Sequence, residues 1–121
     1  MEKQLFITTN KLLNLIEKGK EHFEKAKTSG KEGDFFTEVK PFSDIVKITA
    51  DEWLDVAIRW IQIRNPKYIN QKQLETTYDH LEKISIQSFY PNTSRKIFLS
   101  SIQSSQFVLQ SIIQFLEDTP S

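Results

Sequence analysis

Apolar residues recur along most of the chain at alternating steps of three and four. That spacing puts side chains on one stripe of an α-helix. The first stripe is Leu5, Leu12, Ile16, Gly19, Phe23 and Ala26, and it predicts a helix over residues 2–27. Gly19 costs about 1 kcal/mol of helix propensity there, which close packing against a neighbour would explain. Residues 28–33 read as a turn, with Gly30 or Gly33 free to take positive φ. Asp34 is expected to cap a short helix over residues 35–40. Pro41 disfavours the helical region for Lys40, so a kink or break is expected there. The pattern leaves open whether residues 34–48 form one kinked helix or two pieces. Thr49-Ala50-Asp51-Glu52 has the form of a capping box, with Ile48 and Trp53 at the staple positions. Trp53, Val56, Ala57, Trp60 and Arg64 then share a face until Asn65-Pro66.

Asn70 caps a third helix with Gln73 at the box position, and Ile69 and Leu74 repeat the staple. Its seam is Leu74, Tyr78, Leu81, Ser85 and Ser88. After Pro91-Asn92-Thr93, a fourth helix is predicted over residues 94–117, on Phe98, Ile102, Ser105, Leu109, Ile112 and Leu116. No stretch alternates for long enough to make a half-buried strand. Short connections make neighbouring helices antiparallel. The expected architecture is therefore all-α: a single up-down-up-down four-helix bundle over residues 1–121, its second helix kinked or broken near Pro41.

Composition narrows the chemistry. The 121 residues are enough for one core. Lys plus Arg and Asp plus Glu are balanced at 16 each, which argues against a nucleic-acid partner. Cysteine is absent, which removes disulfides, thiolate metal sites and thiol nucleophiles. The first residues lack an unbroken apolar core and a small-residue cleavage site, so a soluble cytoplasmic protein is expected. His22 and His80 follow Gly19 and Thr77 by three residues, where a di-iron bundle needs Glu. Gly19, Gly30 and Gly33 fit neither phosphate-binding glycine motif. No nucleophile elbow is present. The expectation is a protein without enzymatic activity, metal or other cofactor.

A string of residues also carries a resemblance. Asp34-Phe35-Phe36 is followed by Lys40-Pro41, Trp53, Arg64, Pro66-Lys67-Tyr68, Gln73 and Gln87-Ser88-Phe89. In this pattern and spacing the chain resembles the YppE-like family, small cytoplasmic proteins of low-GC Gram-positive bacteria. The resemblance implies a four-helix bundle and brings no catalytic residue with it. The fourth helix departs from the family pattern in carrying far less charge.

Two candidate sites emerge. Residues 97–116 contain no charge. Four Gln and five Ser interrupt the segment, and 11 of its 20 residues are apolar, so a membrane span is not expected. Its apolar arc covers about 200°. Phe107 lies opposite the centre of that arc, beside Ser100, Gln103, Gln110, Ser111 and Gln114. An uncharged face with one large aromatic suits contact with a partner protein or a second copy, giving a monomer or weak homodimer. The alternative is that the fourth helix is the most buried of the four and Phe107 a tolerated exposed residue. The second candidate is Arg64, Lys67 and Tyr68, beside the start of the third helix, where a small anion or ligand could be held. A structural account of the same residues is preferred. Arg64 complements its helix C-terminus and pairs with Asp34 or Glu38 across the bundle, and Tyr68 packs with its hydroxyl at the rim. Trp53 and Trp60 are expected in the core, with Phe35 and Phe36 locking the kinked segment onto the bundle.

Overall fold

The helical stripes are realised in a computed structural model, which describes residues 1–118. The elements are α1 (Glu2–Ser29), a π-helical turn (Phe35–Val39), α2 (Lys40–Arg64), α3 (Gln71–Gln87) and α4 (Arg95–Asp118). The last three residues of the expected domain, Thr119, Pro120 and Ser121, lie outside the described residues.

Two indoles set the register of the first helix pair. Trp53 and Trp60 are both fully buried. A buried indole N–H must find an acceptor, or its desolvation is uncompensated. Trp53 Nε1 donates to Thr9 Oγ1 at 3.1 Å, and Trp60 Nε1 donates to Glu2 Oε2 at 2.9 Å. Seven residues forward on α2 thus correspond to seven residues backward on α1, so the two helices run antiparallel. The fourth side is closed in the same sense. Phe23 of α1 stacks on Phe98 of α4 at 4.1 Å, and Glu17 accepts from Gln106 at 3.0 Å. Arg95 pairs with Glu24. Each of α1 and α3 packs between α2 and α4, which is the up-down-up-down arrangement.

The segment around Pro41 differs from its expected form. Lys40 stays helical, at φ −63° and ψ −47°. The irregularity is a π-helical turn immediately before it, in which Val39 N–H reaches Asp34 O at 3.0 Å. Widening the turn makes room for the proline ring, whose missing N–H costs nothing within the first turn of α2. Asp34 does cap the segment, accepting from Thr37 N–H at 2.9 Å. Phe35 and Phe36 do not lock it down. They stack edge-on against each other in solvent, and Val39 is the buried anchor.

The expected capping box at Thr49 is not used. Thr49 lies inside α2 with its hydroxyl donating to Ile45 O at 2.8 Å, and Glu52 accepts from Gln4 instead. Ile48, the expected staple, is 68% exposed. Burial of Val46, Thr49, Ala50 and Trp53 on one stripe carries the helix through the box. The box at Asn70 and Gln73, by contrast, forms with both hydrogen bonds at 2.9 Å.

Two glycines test the packing in opposite directions. A Cβ on Gly33 would come within 2.7 Å of the buried Phe89 ring, while Gly33 N–H donates to Phe89 O at 2.9 Å. A Cβ on Gly19 would meet Ile84 at 3.4 Å, which is ordinary contact, so crowding does not explain that glycine. In urea denaturation Gly33→Ala is expected to lose about 1–3 kcal/mol, and Gly19→Ala to gain up to about 1 kcal/mol. Glu2→Ala leaves the Trp60 N–H without its acceptor and is expected to cost about 1–3 kcal/mol, with Glu2→Gln retaining most of that stability.

Candidate functional site

The two candidate sites read from the sequence meet in one groove. It lies at the end of the bundle where α2 turns into α3. Asn65 takes the left-handed conformation at φ 47° and ends α2, donating its N–H to Ile61 O at 2.9 Å. Pro66 and Ile69 then bury themselves. Held at both ends, the short connection turns Lys67 and Tyr68 outward. Tyr68 is 79% exposed rather than packed at the rim, and Lys67 Nζ lies 5.5 Å from its ring centre.

The facing wall is the outer side of α4. Phe107 is 68% exposed and its ring projects from the helix, as both sequence readings of it require. Gln110, Ser111, Gln114, Phe115 and Asp118 continue that wall at helical spacing. Between the walls is an apolar groove of about 710 Å³, a volume within the range that holds a small ligand or a large side chain. Phe115 serves both sides of the wall, since its ring also meets Trp60 edge-on at 5.3 Å. Gln103 is exposed one turn before Phe107, on the same face but outside the groove.

Arg64 does not join Lys67 and Tyr68. Its guanidinium pairs with Glu2 at 3.2 Å, the carboxylate that also accepts from Trp60. Glu2 therefore replaces Asp34 or Glu38 as its partner. The guanidinium carbon sits 5.9 Å from the Phe115 ring centre, behind the groove wall. Two hydrogen bonds within α4 engage part of the groove's polar lining. Ser111 Oγ donates to Phe107 O at 2.7 Å, and Gln114 Nε2 donates to Asp118 Oδ2 at 2.6 Å. A serine with its proton committed to a carbonyl and no base beside it is not set up as a nucleophile. The groove is suited to seating an apolar or aromatic side chain flanked by amides. Pro66, Ile69, Phe115 and Asp118 also line the groove, though the sequence reading did not assign them to a site. Counting eight and eleven residues on from Phe107 along one helical face would have found the last two.

The opposite end of the bundle holds His22. Its ring lies 4.5 Å from that of Phe89 and 5.1 Å from that of Phe42, centre to centre. Among the described residues, no group of three or more His, Asp or Glu could hold a metal. Nor is any helix among them long and apolar enough to cross a membrane.

These features define a small four-helix bundle with an apolar groove at one end. The chain belongs to the family described as a bacterial domain of unknown function (DUF1798), which matches residues 9–116. It is 26% identical over 112 residues to the uncharacterized protein YppE of Bacillus subtilis (strain 168), covering 93% of this chain and 91% of that one. A crystal structure of a Listeria innocua protein of unknown function is 31% identical, with a TM-score of 0.91 over 96% of this chain and 93% of that one. The crystal structure of B. subtilis yppE superposes with a TM-score of 0.88 at 25% identity, over 94% and 93% of the two chains.

Burial between Phe42 and Phe89 holds the His22 pKa below its ordinary 6.5, against the opposing pull of Glu38. The unfolded chain therefore takes up a proton at higher pH than the folded one. Stability is full above pH 6.5 and falls as the pH drops below it, towards the folded value. The melting temperature is expected to decline between pH 7.5 and 5.5, and His22→Gln to flatten that decline.

Proposed function

We infer that this protein is a non-enzymatic recognition module whose working surface is the groove between α4 and the α2–α3 connection. The observation that carries the reading is Phe107. A large aromatic 68% exposed on a face of amides and hydroxyls has no role in the bundle core, and it stands beside a groove able to receive its counterpart. Solvent exposure of such a side chain is unfavourable by a few kcal/mol relative to full burial, and contact with a partner recovers that energy. The absence of charge along residues 97–116 spares the contact the cost of desolvating ions.

The small-anion reading has less support. It needs Arg64, Lys67 and Tyr68 to converge, yet Arg64 is engaged by Glu2. The start of α3 is also served by its own Asn70 cap.

A photo-cross-linking residue placed at Gln110 in living cells tests the recognition reading. A discrete adduct is expected, and Phe107→Lys is expected to abolish it. An adduct with another protein or with a second copy of the chain supports the reading equally. Failure to form any adduct that depends on Phe107, in a protein with unchanged melting temperature, overturns it.

A further inference from the structure

We propose that the partner of this face is a second copy of the same chain, with two α4 helices crossing antiparallel about a two-fold axis at Phe107. The proposal rests on the recognition reading above and names its occupant. It is carried by the order of side chains on either side of Phe107. In an antiparallel pair centred on that residue, position 107 − n of one copy faces position 107 + n of the other. Positions at steps of three, four, seven and eleven share the outer stripe of the helix.

Each such pair is complementary. Gln103 faces Ser111, Ser104 faces Gln110, and Ser100 faces Gln114. Every long amide meets a short hydroxyl, so size and hydrogen-bonding capacity match at all three positions. At eleven residues from the centre, just outside the uncharged stretch, Lys96 faces Asp118. Both are exposed. The two-fold repeats this opposite-charge pair at each end of the contact. A parallel pairing would instead set Lys96 against Lys96 and Asp118 against Asp118, so the charges select the antiparallel sense.

An isologous contact sets a face against itself, so any charge near its centre meets its own sign. The uncharged centre and the opposite signs at the two ends meet that requirement. At the axis the two Phe107 rings meet each other, and the groove that runs from each Phe107 towards the end of α4 receives the facing half of the other copy's α4, Ser100 to Ser104.

The chain has no cysteine, so single introduced thiols report geometry without interference. Gln103→Cys and Ser111→Cys proteins, mixed and mildly oxidised, are expected to form a disulfide-linked dimer. Neither variant alone should do so, because like positions lie about 12 Å apart along the axis, beyond disulfide reach. In sedimentation equilibrium, Phe107→Lys is expected to weaken dimerisation by more than about tenfold. Lys96→Asp should also weaken it, and the double exchange Lys96→Asp with Asp118→Lys should restore it. Two results would overturn the proposal. One is a wild-type protein that stays monomeric up to about 1 mM, roughly the weak limit of specific association. The other is a single thiol variant that cross-links as readily as the mixture. If the protein is monomeric yet gives a Phe107-dependent adduct with another protein in cells, the recognition reading survives and the self-association proposal falls. Absence of both ends both.

Discussion

The fold depends first on where two indole N–H groups find acceptors. Trp53 and Trp60 stand one heptad apart and bury their rings fully. Their acceptors, Thr9 and Glu2, are one heptad apart on α1 in the reverse direction. Sliding α1 by one turn would bury both donors unpaired, at about 1–3 kcal/mol each. Hydrophobic burial alone tolerates such slips, because one aliphatic stripe resembles another a turn away. The two polar bonds are what make the register unique. Glu2 extends the constraint further, since it also holds Arg64 and so joins the beginning of α1 to the end of α2.

That engagement shapes the groove. With Arg64 held behind the wall, the α2–α3 connection is free to follow its own anchors, Pro66 and Ile69. Lys67 and Tyr68 are left outside. Phe115 then lies between Trp60 and the groove, and the inner and outer surfaces of α4 become continuous through one ring. The groove is a by-product of how the core closes at this end, and Phe107 is the residue that core closure does not explain.

The legible parts of the sequence were those with period. Three of the apolar stripes located α1, α3 and α4 to within about two residues, and the Asn70–Gln73 box gave the start of α3. Phe107 was legible because it breaks the polar side of a periodic helix. The illegible parts were those where a local motif competes with tertiary burial. Thr49 to Glu52 has every feature of a helix start, but burial of Val46, three residues before Thr49, and of Trp53, four residues after it, outweighs it. Pro41 was read as a breaker, whereas a widened turn accommodates its ring. Phe35 and Phe36 were placed inside on hydrophobicity alone, although Val39 occupies the one buried position of that turn. In the loop wall of the groove the staple gave the burial of Ile69, but the outward turn of Tyr68 was not legible, because a six-residue connection has no period to reveal which side chains it buries.

The indole pairing also has a consequence for the order in which the nascent chain can settle. The acceptor at residue 2 waits for a donor at residue 60, so α1 leaves the ribosome before anything can align it. Once α2 has followed, the two helices can take their register, but the face that α3 and α4 will cover is still bare. Trp60, whose ring meets Phe115 of α4, is left partly uncovered. Until α4 is released, the half-made bundle is an amphipathic hairpin with its apolar face towards water, the kind of species on which chaperones act. Completion depends on α4, the last of these four helices to be made, which is also the helix whose outer side is left without a place in the core.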